Sequence, residues 1–126
     1  MLNLSKLMSL KDRRALITGA NGHIGRIIAL TLAELGADLI LVDRHGSDYK
    51  KLTNEITNNF KVDVQTYDCD LGIQNDREEL ISTLCNKGAP LNILVNNAAF
   101  VGDTNLEGWV TDFEKQSVDT WRRALE

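Results

Sequence analysis

ALITGANGHIG, the stretch from Ala15 to Gly25, sets the architecture that the rest of this 126-residue sequence follows. A short apolar run leads into a turn with three glycines, Gly19, Gly22 and Gly25, and a helical pattern begins there. Such a turn lets a phosphate approach the backbone closely, because glycine has no side chain in the way. It also directs the free N–H groups and partial positive charge of a helix N-terminus at one point. The stretch therefore predicts a phosphate-binding turn between a strand and a helix.

Outward from this turn, strand-like and helix-like segments alternate along the chain. Three of the four predicted strands are continuous apolar runs, as expected where both faces of a sheet are covered, whereas the third alternates and suggests a sheet edge. Right-handed crossovers then give an α/β, Rossmann-type doubly wound parallel sheet of order 3-2-1-4, with a ligand site between strands 1 and 4. The predicted strands are Arg14–Thr18, Asp38–Val42, Lys61–Tyr67 and Asn92–Asn96.

The helices are predicted from apolar residues spaced three or four apart. The second helix should run from about Ser47 to Asn59, and the third should begin near Asn75 with Glu78 completing a capping box. Ser117 is the predicted N-cap of a fourth helix, after a long polar loop. The first helix should bury Ile24, Ile28, Leu32 and Leu35, and the third Leu80, Ile81, Leu84 and Cys85.

Composition excludes several classes of partner and site. The net charge is −4, from 14 basic and 18 acidic residues with no basic stripe, which argues against nucleic acid and against an anionic membrane surface. No run approaches the ~18 apolar residues of a membrane helix, and the N-terminus lacks a signal-peptide core. We expect a cytoplasmic protein in which Cys69 and Cys85 are reduced and pack as small apolar residues, with no metal site.

Asp43 is the second functional signal, at the end of strand 2 and 18 residues after Gly25. A carboxylate there can accept hydrogen bonds from both ribose hydroxyls of an adenosine. Without the glycine turn, an acidic residue at a strand end would be interpreted as a solvated charge. The same charge would repel a 2′-phosphate by on the order of 4 kcal/mol at ~4 Å and an effective dielectric near 20. NAD is therefore preferred over NADP, while Arg44 and His45 leave NADP as the alternative.

Two further groups follow strands 3 and 4. Asp70 is placed to accept a hydrogen bond from the adenine amino group, and Leu71 is placed to pack against the adenine ring. Small residues at Ala98 and Ala99 leave room for the ribose and the phosphates. The Asn side chains of the run Asn96-Asn97 can tie neighbouring strand ends through backbone hydrogen bonds.

Taken together, these motifs over residues 14 to 99 resemble the N-terminal, cofactor-binding half of the short-chain dehydrogenase/reductase family. The classical branch of that family has glycine at the position of His23 and usually at that of Ala99, whereas the spacing of the turn is similar to the extended branch. The resemblance implies a cofactor site formed by Gly19, Asn21, Gly22, His23, Ile24, Gly25, Asp43, Arg44, Asp70, Leu71, Asn96, Ala98 and Ala99.

The catalytic set of the family has no counterpart in this sequence. In the family a Ser, an Asn and a Tyr-x-x-x-Lys pair follow strand 4, and the tyrosine acts as general acid and base. The two tyrosines here, Tyr49 and Tyr67, precede strand 4 and are followed four residues on by Thr53 and Leu71. We therefore assign no catalytic residue.

The sequence-based hypothesis is the cofactor-binding portion of an NAD(P)-dependent oxidoreductase acting on a small hydroxyl or carbonyl substrate. We expect one incomplete Rossmann domain over residues 1–126, with the motifs in 13–99 and a loop and helix start in 100–126. The unpaired edge of strand 4 should favour a homo-oligomer. Two alternatives remain: a non-catalytic dinucleotide-binding module, and an adenosine-binding protein of the S-adenosylmethionine type.

Overall fold

A computed structural model of the chain describes residues 3–99 and 111–125. None of the helices in these two ranges is both long and apolar enough to cross a membrane. The elements in chain order are α1 (Leu4–Leu7), β1 (Arg14–Thr18), α2 (His23–Glu34), β2 (Asp38–Asp43), α3 (Lys50–Asn59), β3 (Val64–Asp68), α4 (Gln74–Asn86), β4 (Ile93–Val95), a 3-10 turn (Phe113–Lys115) and α5 (Val118–Leu125).

The four strands form one parallel sheet in the order β3-β2-β1-β4, which confirms the predicted fold class and strand order. In the register of the sheet, Leu16 of β1 lies between Ile40 of β2 and Leu94 of β4. The edge position predicted for β3 is confirmed as well. Because β1 leads outward to β2 on one side and pairs with β4 on the other, the carboxyl ends of β1 and β4 flank the switch point of the sheet.

Helices α2 and α3 cover one face of the sheet and form the larger core with it. Leu52 and Ile56 of α3 are almost fully buried in this core, which also contains residues of β1 and β2, and α3 itself contacts α2 and β3. Helix α2 buries the small residues Gly25, Ala29 and Ala33. The predicted apolar stripe of this helix is wrong at Ile24, which is 69% exposed, because the helix approaches the strands so closely that only small side chains fit between them.

The opposite face has a smaller core, formed by Leu16, Ile40, Val42 and Cys69, with Tyr67, Leu80 and Leu84 packed against it. The predicted buried face of α4 is therefore correct only in part. Ile81 is 60% exposed and Cys85 is exposed as well, so only one edge of that helix contacts the sheet. The prediction that both cysteines pack as apolar residues holds for Cys69 alone, and burial raises the pKa of its thiol.

Several predicted boundaries move by two or three residues. β3 begins at Val64 because the N–H of Asp63 donates to the Asp38 carboxylate, at 2.9 Å. Helix α3 begins at Lys50.

Helix α4 begins at Gln74, and the capping box predicted for Asn75 and Glu78 is wrong, since no side chain in the described part of the chain caps this helix. The Ser117 cap is confirmed by the Thr120 N–H, which donates to its hydroxyl at 3.2 Å. Of the predicted polar loop, residues 100–110 lie outside the described residues.

Substitution of a core leucine separates the buried part of the sheet from its exposed edge. Leu41 is fully buried, so Leu41→Ala should lower the free energy of unfolding by about 3 kcal/mol through lost burial and the cavity left behind. Leu94→Ala is the matched control, because Leu94 is 57% exposed and its removal should cost less than about 1 kcal/mol. Urea unfolding of both variants measures the difference, and equal losses would contradict this assignment of the core.

Candidate functional site

The glycine turn between β1 and α2 is fastened to both strands beside it. Gly19 adopts a left-handed conformation, with φ of 63°, which only glycine accepts without strain. The next residue, Ala20, donates its N–H to the carbonyl of Val42 at 3.2 Å, so the turn stays in contact with β2. Gly22 closes the turn by donating to the Gly19 carbonyl at 3.1 Å. The turn is thus a fixed part of the sheet edge.

All three glycines stand where a side chain would meet other atoms. A Cβ on Gly25 would collide with the carbonyl oxygen of Gly19 and lie 2.8 Å from Nδ2 of Asn97. A Cβ on Gly19 would lie 3.0 Å from Cα of Ala98, and one on Gly22 would lie 3.2 Å from the Gly19 oxygen. Packing therefore excludes a side chain at Gly25, whereas at Gly19 and Gly22 the neighbouring atoms would have to shift to admit one.

The carboxyl ends of β1 and β4 are joined by one hydroxyl group. Thr18 Oγ1 donates to the carbonyl of Val95 at 3.3 Å and accepts the N–H groups of Asn97 and Ala98 at 3.1 and 3.0 Å. This uses the single donor and both acceptor sites of the hydroxyl. The side chain of Thr18 is 6% exposed, so it supports the site from beneath.

Asn97 completes the same junction. Its amide Nδ2 donates to the carbonyls of Thr18 and Gly19, at 2.9 and 3.1 Å. The predicted tie between strand ends is therefore confirmed for Asn97, while the residue assigned to the site from sequence, Asn96, is exposed. The sequence analysis predicted the tie from the Asn96-Asn97 run but named neither Thr18 nor Asn97 among the cofactor-site residues. Their positions at the ends of two neighbouring parallel strands are the signal that could have identified them.

Asp43 faces the glycine turn from the end of β2. Its Oδ2 accepts the N–H of Asn21 at 2.8 Å, and its Oδ1 accepts the N–H of Arg44 at 2.9 Å. A carboxylate has about four acceptor positions, so each oxygen retains one for a further donor. Asp43 thus has a structural function that sequence analysis did not predict, and it keeps the capacity to bind hydroxyl groups. The side chain of Arg44 is exposed.

The N-terminus of α2 opens directly from the turn. The first N–H groups of a helix have no partner within it, and no side chain of residues 3–99 or 111–125 caps this one. The side chains of His23 and Ile24 are exposed here. Beside them, Nδ2 of Asn21 is buried and has no hydrogen-bond partner among the described residues. Unpaired donors and a positive helix end together suit an anionic ligand.

The loop after β3 holds Asp70 and Leu71 close to the end of β2. Asp70 is half-buried, and its Oδ1 accepts the N–H of Gly72 at 2.9 Å, while Leu71 is 37% exposed. The backbone of the two loops is continuous with the sheet, because the N–H of Cys69 donates to the carbonyl of Asp43 at 2.8 Å. Ala98 and Ala99 are exposed beyond β4 and are small, as the sequence analysis required of them.

A tyrosine–lysine pair exists in the fold, although sequence spacing did not reveal it. Lys87 Nζ donates to the hydroxyl of Tyr67 at 2.6 Å, and that hydroxyl donates to Gln65 at 3.0 Å. The pair lies under α4, where Arg14 also binds Gln65, at 3.1 Å. The hydroxyl of Tyr49 donates to the carbonyl of Tyr67 at 2.7 Å. Both phenols are therefore used to fasten elements together.

Comparison with known proteins identifies the family to which the chain belongs. The model of the family described as short chain dehydrogenase matches residues 13–126. The very-long-chain 3-oxoacyl-CoA reductase of Eremothecium gossypii is 39% identical over 88 residues, which cover 69% of this chain and 25% of that protein.

Solved structures share the fold. A 3-oxoacyl (acyl-carrier-protein) reductase of Agrobacterium tumefaciens C58 with NADP bound is 25% identical, with a TM-score of 0.77, over 98% of this chain and 45% of that one. An NAD+-bound xylitol dehydrogenase is 24% identical, with a TM-score of 0.75, over 92% of this chain and 42% of that one. The chain thus spans between a quarter and just under half of the length of these relatives.

The close approach at Gly25 can be tested by adding one methyl group. Gly25→Ala should lower the free energy of unfolding by about 2–3 kcal/mol, because the Cβ has to displace the Gly19 carbonyl or the Asn97 amide. Gly72→Ala is the control: its Cβ would meet only the Asp70 carboxylate, at 3.2 Å, in an exposed loop, and should cost less than about 1 kcal/mol. Denaturant unfolding of both variants compares the two costs, and a tolerated alanine at position 25 would contradict the contact.

Proposed function

The chain belongs to the short-chain dehydrogenase family, and we propose that it is the cofactor-binding portion of an NAD(P)-dependent oxidoreductase. The observation that carries the proposal is the position of the glycine turn, which lies at the carboxyl ends of β1 and β4 and leads directly into the N-terminus of α2. Doubly wound sheets bind ligands at such a switch point. The buried amide Nδ2 of Asn21, which has no partner within the described ranges, also fits a bound ligand.

In this proposal the pyrophosphate lies over the turn, on the N–H groups at the start of α2. Gly19, Gly22 and Gly25 let the turn close tightly enough to direct its N–H groups at the phosphates, and His23 and Ile24 flank them from the first turn of the helix. The small residues Ala98 and Ala99 and the neighbouring Asn96 form the wall beyond β4. The positive end of the helix dipole supplies the favourable charge.

The adenosine half of the cofactor is assigned to the loops after β2 and β3. The free acceptor positions of Asp43 would take the two ribose hydroxyls, and Asp70 and Leu71 would hold the adenine ring. The carboxylate of Asp43 makes NAD the preferred cofactor, since it would repel a 2′-phosphate. If NADP were the preferred cofactor instead, Arg44 is the residue that would accommodate its 2′-phosphate.

The nicotinamide, when bound, supplies hydride exchange with a hydroxyl or carbonyl carbon of a small-molecule substrate. The residues of this chain bind and orient the cofactor, and none is assigned to proton transfer. Family membership favours a nicotinamide cofactor over S-adenosylmethionine. A non-catalytic dinucleotide-binding module is the second candidate, since the catalytic set has no match in this sequence.

We place the protein in the cytoplasm and propose that it assembles with further copies of itself. Within the described residues, β4 is an edge strand of the sheet, and its Leu94 is 57% exposed. Unpaired N–H and C=O groups beside an apolar side chain favour pairing with another strand. Sedimentation of the 126-residue chain should therefore show an oligomer.

Calorimetric titration with NADH, NADPH and S-adenosylmethionine tests the proposed cofactor. NADH should bind more tightly than NADPH, and S-adenosylmethionine should not bind. Asp43→Asn should weaken NADH binding by about ten- to a hundred-fold, because hydrogen bonds to a charged acceptor are lost, and should narrow the preference over NADPH.

The matched control is Asp38→Asn, at the opposite end of the same strand, where the carboxylate binds the N–H of Asp63. This variant should leave NADH affinity unchanged. Failure of the complete protein to bind either nicotinamide cofactor would overturn the proposed function. Binding of NADH without reduction of carbonyl substrates by NADH or oxidation of hydroxyl substrates by NAD+ would favour the non-catalytic module.

A further inference from the structure

One carboxylate oxygen joins the two loops that border the proposed adenosine pocket. Asp76, in the first turn of α4, accepts the backbone N–H of Asp70 at 3.0 Å through Oδ2. The same oxygen lies 2.6 Å from Nε2 of His45. His45 follows β2 two residues after Asp43, and Asp70 follows β3 two residues after Asp68. Asp76 thus contacts both loops although it belongs to neither.

The surroundings make this junction more than an isolated surface pair. A second contact crosses the same two loops, because the N–H of Gly46 approaches Oδ2 of Asp68 at 3.4 Å. A small pocket is formed between the loops and α4, with His45 and Asp76 in its lining. The Asp76 side chain is only 20% exposed, whereas that of His45 is 63% exposed. The fold therefore holds the Asp76 side chain in place, and His45 is the partner that can move away from the pair.

We propose that Asp76 is a positioning residue of the cofactor site, and that His45, when protonated, completes a link that holds the loops after β2 and β3 in the cofactor-binding arrangement. The inference rests on the proposed function, because it assigns the adenosine half of the cofactor to these loops. Asp43 and Asp70 are the groups that would touch the cofactor. His45 and Asp76 act through them, by fixing the distance between the loops.

The charges around His45 favour its protonated form. The hydrogen bond to Asp76 is the main cause that raises the pKa of His45 above its ordinary 6.5, and the negative charges nearby act in the same direction. The pKa of Asp76 is lowered, first by the Asp70 N–H and then by His45, so Asp76 stays ionised throughout the titration of the histidine. The titratable groups that face His45 from β3, its following loop and α4 are Tyr67, Asp68, Asp70, Asp76 and Glu79.

The direction of the pH dependence follows from the raised pKa of His45. The charged link is fully present below the ordinary pKa of histidine, and it is lost as the pH rises through the raised value. Above that pH the loops lose one of their ties, and the cofactor has to order them when it binds. Because the pair is exposed on the histidine side, we expect NADH affinity to fall by only about two- to five-fold.

The experiment measures the NADH dissociation constant of the complete protein from about pH 6 to about pH 8.5, the range in which histidine titrates. Wild type should bind less tightly as the pH rises. His45→Gln keeps a neutral hydrogen-bonding group and should give a flat profile, and Asp76→Asn should flatten it as well. Glu79→Gln is the charge-matched control on the same helix and in the same pocket, and it should keep the wild-type profile.

A second readout does not require the cofactor. The Asp70 N–H shares its acceptor with His45, so its amide NMR signal should titrate with the histidine in wild type and stay constant in His45→Gln. A wild-type pH profile that persists in His45→Gln, or an Asp70 signal that does not follow His45, would overturn the inference. Absence of NADH binding at every pH would overturn the proposed function instead, and the NMR titration would still decide the link.

Discussion

The contact between the Gly19 carbonyl and the backbone of Gly25 is the constraint on which the rest of this structure depends. It fixes how closely α2 approaches the sheet, and a helix at that distance can bury only small residues. Gly25, Ala29 and Ala33 therefore face the strands, and larger apolar residues of the helix lie at its margins or outside. The same approach directs the helix N-terminus at the open end of the turn, so packing and ligand binding require the same geometry.

The site inherits its rigidity from the sheet beneath it. Three strand ends contribute one polar side chain each: Thr18 from β1, Asp43 from β2 and Asn97 after β4. Each of these side chains forms hydrogen bonds with backbone groups of the turn or of the residues beside it. A backbone held in this way loses little freedom when a ligand binds. Substitutions at exposed residues around the turn, such as Ile24 and Ala99, should therefore leave the backbone of the turn unchanged.

Sequence reasoning succeeded where a local pattern has one physical meaning. Buried strands read as apolar runs, and the crossover rules convert their order into a sheet, so the topology and the glycine turn could be predicted. The buried stripe of α2 could not be predicted in full. The apolar pattern assigns Ile24 to the buried face and ignores Gly25, whereas the short distance between helix and sheet leaves room only for small residues. The tie between strand ends could be predicted from the Asn96-Asn97 run, but which of the two adjacent asparagines reaches β1 depends on where β4 ends. The Tyr67–Lys87 pair spans 20 residues, and only tertiary structure brings it together.

The hydroxyl of Thr18 has a consequence for how the protein is made. It binds Asn97 and Ala98, which are 79 and 80 residues further along the chain. Contacts of such high sequence separation form late, after the entropy of closing a long loop has been overcome. A nascent chain that has emerged only as far as β3 can build the β1–α2–β2 unit, but the floor of the turn is still open. The floor of the glycine turn is therefore completed only when β4, Asn97 and Ala98 have been synthesised and lie beside β1.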